Sequence, residues 1–446
     1  MEIRRALALA RGESLAMVGA GGKTACLFTL ARELDPPVCL TTTTHLGAWQ
    51  AKCADRHHIL QLEDNPDGVQ LAADSVTLVT GPEDGAGRLT ALPPDALVRL
   101  RGSLADRGIP LLIEADGARQ RPLKAPAGHE PVIPPWVDRV VVMAGLGGLG
   151  KPLTEGVVHR PDRFSDLSGG AVGAPIAVEG LTRVLGHPKG GLQGIPDGSR
   201  RSLFLNQAES AALTAQGGHI ARRLLDRYDR VLIGSIRHSG DEGPVRCAFA
   251  RIPGVILAAG GSARLGRPKQ LLLWEGIPFI RQAALKALLG GLEPLYVVTG
   301  AHRGPIETAL SGLPVRLVHN PNWGDGQSTS LNAGLSSLPE KCLGVMFLLG
   351  DQPQISPMLI HSLLQRFWET LAPVCAPVVH GQRGNPVLFS REAFPALAQV
   401  AGDRGGRGLF RRFPVEWIPW MEGRDMLDVD HPEDLTRLKE AFFSPQ

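Results

Sequence analysis

Two glycine-rich loops, each leaving an apolar run, carry residue types that hold phosphate. In "MVGAGGKTA", Gly19, Gly21 and Gly22 precede Lys23 and Thr24. Glycines let backbone N–H groups close on phosphate oxygens, the lysine reaches the terminal phosphates, and the threonine hydroxyl can meet Mg²⁺. The full Gly-x-x-x-x-Gly-Lys-Ser/Thr form would need glycine where Met17 stands, so this is a shortened variant of a nucleotide loop. In "GVILAAGGSARLGRPK", Gly260, Gly261 and Gly266 alternate with Arg264 and Lys269, the charges a triphosphate requires. A tight strand-to-helix turn uses glycine in the same way, so neither loop decides a function alone.

Acidic residues stand where strands are expected to end. Asp351 in "LLGDQP" is a candidate Mg²⁺ ligand, since a hard cation takes carboxylate and phosphate oxygens. Asp428 and Asp430 in "MLDVDHPEDL" flank a short extended piece, and Asp430 fits either an N-cap of the following helix or a second metal carboxylate. In the first half, "LLIEADGARQRPLKAPAGHEPVIP" places Glu114 and Asp116 at a strand end, followed by Arg119, Arg121, Lys124 and His129 as an anion pocket. The run Thr41 to Thr44 before His45 is either strand surface or a distant Mg²⁺ contact. Asn206 and Gln207 either read a base or start a helix.

The elements that must position these residues alternate. Apolar runs such as "DSVTLVTG", "IPLLIEADG", "RVVVMAGLGG" and "RVLIGSI" are separated by helix-like segments, which predicts an α/β chain with mainly parallel sheets. The alternation stops near Ile236, and a new strand, Gly loop and helix begin at Val255. We therefore expect a P-loop-like α/β domain over residues 1–240, a linker over 241–252, and a second nucleotide-binding α/β domain over 253–446. At 446 residues and 43% hydrophobic, the chain has length for two full cores.

Forty-seven basic residues against 44 acidic ones, with no long Lys/Arg run, give no basis for a nucleic-acid or membrane-surface partner. The six cysteines form no Cys-x-x-Cys pair, as in a reducing compartment, and no apolar run approaches a membrane span. A cytoplasmic protein acting on small anionic substrates is the expectation.

Taken together, "LAAGGSARLGRPKQLL", "NPNWGDGQSTSLNAGLSSL", "LLGDQP", "GQRGNPVLF", "GDRGGRGLF" and "LDVDHPEDL" resemble the molybdenum cofactor cytidylyltransferases of the molybdopterin nucleotidyltransferase family. The resemblance runs from Val255 to Phe442 with the motifs in the family's order. It implies a Rossmann-like, nucleotide-diphospho-sugar transferase-like fold, with transfer of CMP from magnesium-bound CTP to molybdenum-bearing molybdopterin. On it, Arg264 and Lys269 hold the triphosphate and the leaving pyrophosphate, and Asp351 holds the metal with Asp430 beside it. Leu257, Ala258, Ala259, Gly260, Gly261 and the loop around Ser330 face the nucleotide, while Gly384, Asn385 and Pro386 line the pterin side. Leu-Ala-Ala-Gly in place of the guanylyl relatives' Leu-Ala-Gly-Gly favours cytidine. His431 and Asn385 depart from the family's usual Thr and His.

The first half, from Leu7 to Ile236, resembles the YqeC family of selenium-dependent hydroxylase accessory proteins, through the Gly19–Thr24 loop, the threonine run, the "IEADG" segment and "LFLNQAES". That implies an NTP-dependent accessory module, with ATP or GTP at the loop, in the maturation of molybdenum hydroxylases. A molybdenum hydroxylase or its insertion chaperone is the implied partner. Two other readings stay open: a nucleotidyltransferase that uses GTP or another phosphorylated acceptor, and a non-catalytic molybdenum cofactor carrier.

Overall fold

A computed structural model describes the chain except residues 62, 63, 65, 238–242, 263–266, 424–426, 428–433, 435 and 438–446, and leaves out the side chains of 67 and 403–405. Two compact units divide at Phe249/Ala250. Among the described residues no helix is long and apolar enough to cross a membrane.

The first unit is built on a nine-stranded sheet. Its strands are β1 (Ser14–Gly19), β2 (Val38–Thr42), β3 (Arg56–Ile59), β4 (Val76–Thr80), β5 (Leu111–Glu114), β6 (Arg139–Gly145), β7 (Arg200–Asn206), β8 (Arg230–Gly234) and β9 (Val245–Phe249). They lie in the order β9-β8-β7-β6-β1-β5-β2-β4-β3, with every pairing parallel except β8 with β9. Strands β2, β4, β5 and β6 are buried along their whole length, as a parallel sheet covered on both faces requires. Central β1 feeds helix α1 (Lys23–Glu33) through the left-handed Gly22, and α2 (Ala211–Leu224) starts where the Ser210 hydroxyl accepts the Leu213 N–H.

The second unit has strands β10 (Ile252–Ala258), β11 (Leu292–Thr299), β12 (Val315–His319), β13 (Gly344–Leu349), β14 (Val374–Val379), β15 (Val387–Ser390) and β16 (Val415–Pro419). The order is β12-β11-β10-β13-β15-β14, and both Gln382–Arg383 and β16 pair with β14. Strands β10 to β13 are mutually parallel and β15 runs against both neighbours. Helices α3 (Phe279–Leu289), α4 (Gln327–Ser336) and α5 (Pro357–Thr370) accompany the sheet; Ser356 caps α5 and Pro357 opens it.

One expectation needs correcting. The 241–252 segment is not a free linker, because residues 245–249 are β9, the antiparallel edge of the first sheet, and Ile252 already belongs to β10. Its Val-Arg-Cys-Ala-Phe run, buried except at Arg246, pairs on one side only, with β8, and the flanking Gly and Pro residues hid it.

Candidate functional site

In the first unit, the Gly19–Gly22 loop leaves β1 at the middle of the sheet, beside the end of β5. That is where open α/β sheets bind ligands. The backbone dictates glycine here: Gly19, Gly21 and Gly22 have φ of 91°, 90° and 116°. A Cβ on Gly19 would stand 2.3 Å from the Met143 carbonyl oxygen, and one on Gly21 2.5 Å from the Gly145 nitrogen. The loop is stitched down by Ala20 N–H to Met143 O at 2.9 Å and Gly21 N–H to Arg121 O at 3.1 Å. The first N–H groups of α1 face outward from its start, as at any helix N-terminus.

Around the loop the charges alternate. Lys23 Nζ donates to Gly19 O at 2.8 Å and pairs with Asp116 Oδ1 at 3.1 Å. Asp116 Oδ2 accepts Gly19 N–H at 3.0 Å and Lys124 Nζ at 2.8 Å. Lys124 also meets Glu130 at 2.7 Å, and Glu130 takes a bidentate pair of hydrogen bonds from Arg160, both 2.9 Å. Burial works against the Glu130 carboxylate, yet Arg160 and Lys124 outweigh it and bring its pKa down to about 2. His159 is pushed down to about 4, first by burial and then by Arg160 and Lys124. Lys124 therefore serves two carboxylates, the buried Asp116 and the half-buried Glu130, and does not belong to the expected anion pocket. Arg119 is exposed and Arg121 half-buried next to the loop.

Thr24 Oγ1 donates to Glu114 Oε2 at 2.7 Å, and burial raises the pKa of Glu114. A hydroxyl and a carboxylate side by side at a phosphate loop are hard oxygen donors of the kind Mg²⁺ takes, so these residues fit that ion. Thr42 is fully buried, its hydroxyl donating to Glu114 O at 3.0 Å, which makes it a brace of the strand ends. Neither role foreseen for Asn206 holds. Its Nδ2 donates to Gly21 O at 2.6 Å and its Oδ1 accepts Ile236 N–H at 3.0 Å, so it ties the loop to the end of β7.

In the second unit, two cross-strand bonds set the expected residues side by side. Gly350 N–H donates to Leu257 O and Ala301 N–H to Ala259 O, both at 3.0 Å. Asp351 thus stands next to the start of the second glycine loop, at the carboxyl end of β13. Ala258 and Ala259 are buried, while Gly260 is exposed with no atom within 4 Å of a Cβ built on it. The loop closes on itself through Lys269 N–H to Ser262 Oγ at 3.0 Å and Gln270 Nε2 to Gly260 O at 3.2 Å. Against Gly261 lies Trp323, 3.2 Å from a built Cβ. Asp351 is a carboxylate donor of the kind Mg²⁺ takes. Arg264 and Asp430, with Gly266, Asp428 and His431, lie outside the described residues. Among the described residues no group of three or more His, Cys, Asp or Glu side chains is placed to hold a metal.

A cleft of about 540 Å³ opens here, and Leu257, Gly384 and Asn385 share its lining with Gln327, Gln352 and Phe347. Pro386, Gly260, Lys269 and Asp351 are not among its lining residues. Ser330 lies on α4 but is 5% exposed, its hydroxyl accepting Asn320 Nδ2 at 2.9 Å, so it holds the Asn320 turn. Sequence reasoning passed over Arg383, Arg407 and Phe410, which line the same cleft. Their signal lay in "GQRGNPVLF" and "GDRGGRGLF", where arginines recur among glycines and aromatics.

Residues 254–417 match the family model described as MobA-like NTP transferase domain, and residues 15–162 match the one described as YqeC protein. The YqeC protein of Escherichia coli strain K12 is 33% identical over 200 residues, covering 43% of this chain and 75% of that protein. Nicotine blue oxidoreductase of Paenarthrobacter nicotinovorans is 32% identical over 197 residues, covering 42% of this chain and 96% of that protein. The molybdenum cofactor cytidylyltransferase of Escherichia coli strain K12 is 26% identical over 196 residues, covering 42% and 95%.

Proposed function

Since the chain belongs to the YqeC family through its first half and to the MobA-like NTP transferase family through its second, we propose that the second unit transfers CMP from CTP to molybdenum-bearing molybdopterin. The products are the cytosine dinucleotide cofactor, for molybdenum hydroxylases, and pyrophosphate. The observation that carries this reading is the single cleft lined both by Leu257, from the strand that enters the glycine loop, and by Gly384 and Asn385. A nucleotidyl transfer needs donor and acceptor in one cavity.

The chemistry is an in-line displacement at the α-phosphorus. A phosphate oxygen of the acceptor forms the new P–O bond while the bond to the β-phosphate breaks and pyrophosphate departs. The nucleophile is already ionised, so no proton has to be removed, and rate comes from positioning and charge neutralisation. In this reading Lys269 and Arg264 neutralise the triphosphate, and the open backbone at Gly260 admits it without a side chain in the way. A Mg²⁺ ion at Asp351, with Asp430 as a second carboxylate, would supply charge neutralisation on the phosphate oxygens. The Leu-Ala-Ala-Gly sequence of Leu257 to Gly260, where the guanylyl relatives have Leu-Ala-Gly-Gly, supports CTP over GTP. The first unit is an accessory module that binds ATP or GTP at Gly19, Gly21, Gly22, Lys23 and Thr24.

The test incubates the full chain with Mg²⁺, molybdenum-loaded molybdopterin and each nucleoside triphosphate separately, following pyrophosphate. Release with CTP is the expected result. No release with CTP, or equal release with GTP, overturns the cytidylyl assignment. The same readout separates this reading from a redox role like that in the name of the Paenarthrobacter relative, which would liberate no pyrophosphate.

A further inference from the structure

The cleft of the second unit has an unequal distribution of charge. Among the described residues, the titratable ones that line it are His380, Arg383 and Arg407, with no Asp or Glu. Neither arginine has a carboxylate partner among the described residues, whereas Arg366 and Arg303 on the same unit are paired with Glu416 and Glu307. A cation left unpaired in a concave site is available to an anionic ligand.

Arg383 is also held in place. The pair Gln382–Arg383 bonds to the end of β14, and Gly384 N–H donates to Pro377 O at 3.0 Å. The Arg383 guanidinium carbon lies 5.2 Å over the Phe410 ring centroid, and Phe410 is stacked on Trp417 at 5.7 Å and 26°. Phe410 continues edge-on to Phe389 and Phe389 to Phe347, and these three rings all line the cleft. The cation–π contact holds the guanidinium against the ring, and arginine's planar fork of N–H donors is the group that binds phosphate in a two-pronged contact. Arg407 stands three residues before Phe410 on the 3₁₀ segment Gly402–Arg411 and lines the same cleft.

We infer that Arg383 and Arg407 bind the phosphomonoester of the acceptor, with the aromatic wall of Phe347, Phe389 and Phe410 receiving its planar ring. This rests on the nucleotidyl-transfer reading and deepens it, by making these two arginines the residues that position the acceptor's phosphate. Two cations flanking the phosphate lower the cost of bringing it up to an anionic triphosphate.

Isothermal titration of the full chain with a pterin bearing a phosphomonoester, and with the same pterin lacking it, tests this without any CTP. Wild-type protein should bind the phosphorylated form at least about tenfold more tightly, the worth of one good charge-assisted contact. Arg383→Gln and Arg407→Gln should each erase most of that difference while affinity for the unphosphorylated pterin stays the same. Arg383→Lys should restore only part of it, because a lysine keeps the charge but not the fork. Equal affinity of wild type for the two pterins, binding of neither, or an undiminished difference in both glutamine variants overturns the inference. Phosphate discrimination without pyrophosphate release from CTP would instead remove the nucleotidyl-transfer reading and leave the anion site standing.

Discussion

Lys23 and Asp116 form a buried ion pair at 3.1 Å, with side chains 5% and 2% exposed, directly beneath the glycine loop. The same carboxylate accepts the Gly19 N–H and the Lys124 ammonium. Asp116 thus occupies the centre of a cationic cradle, and Lys23 is held there by an anion before any nucleotide arrives. If the loop takes a triphosphate, Lys23 would exchange one anionic partner for another, and the ammonium would never be buried alone.

Asp116→Ala should therefore be among the most damaging changes in the first unit. It leaves Lys23 with a single carbonyl acceptor and takes from Lys124 one of its two carboxylates, at a cost of about 3 kcal/mol or more. Lys23→Ala should cost less, since Asp116 keeps Lys124 and Gly19, while losing ATP or GTP affinity at this loop without stopping nucleotidyl transfer. Urea denaturation and nucleotide titration on both variants measure this. A Lys23→Ala protein less stable than Asp116→Ala would contradict the described organisation.

The two glycine loops should respond oppositely to alanine. At Gly19 a Cβ meets the Met143 carbonyl at 2.3 Å and the φ of 91° is strained for any L side chain, so Gly19→Ala should cost about 2 kcal/mol or more. At Gly260 a Cβ meets nothing within 4 Å, so Gly260→Ala should leave stability within about 0.5 kcal/mol. If Gly260 admits the triphosphate, that same silent substitution raises the KM for CTP. Thermal melts and steady-state kinetics on the pair separate a folding glycine from a binding one.

Acidification should weaken the first unit in two stages. Folded His159 takes up a proton only near pH 4 against 6.5 for an ordinary histidine, so the unfolded chain binds more protons in that window and stability falls as pH drops through it. Glu130, held near 2 against 4.5, gives its full contribution above the ordinary value and loses it as pH falls towards 2. His159→Gln should flatten the first stage only, and Glu130→Gln the second. Urea midpoints at about pH 7, 5 and 3 decide it; a midpoint independent of pH between the first two would refute the His159 part.

The elements were largely legible because their signals are local. Fully apolar runs ending in Gly or an acid gave the buried parallel strands, and Gly-Gly-Lys-Thr gave the start of α1. What failed depended on partners distant in sequence. Lys124 reads as one basic residue of a surface cluster until β5 and the segment after it bring Asp116 and Glu130 to either side. Asn206 looks like a helix start, but the sheet order delivers it to Gly21. Ser330 resembles a base-facing hydroxyl, and only the fold places Asn320 against it. Edge strand β9 was missed because its neighbours in sequence are turn formers, although its pairing with β8 is set by tertiary contact.

Asp351 provides the sharpest test of the second unit. Its position follows from backbone geometry: Gly350 N–H bonds to Leu257 O, so the residue after it is carried to the rim where β10 turns into its glycine loop. A carboxylate there can be replaced without opening the core, since Asp351 is only half-buried while β13 behind it is almost wholly buried. Asp351→Ala and Asp351→Asn should both keep a cooperative thermal transition, since the change lies at the half-buried rim and not in the core. If the carboxylate holds the metal, both variants should lose at least about 100-fold in pyrophosphate release, and the asparagine variant should need more Mg²⁺ to reach half-maximal rate. A Mg²⁺ titration of each variant reads both quantities. Wild-type turnover with an unchanged Mg²⁺ requirement would take Asp351 out of the metal site and shift that role to the acidic residues near the C-terminus.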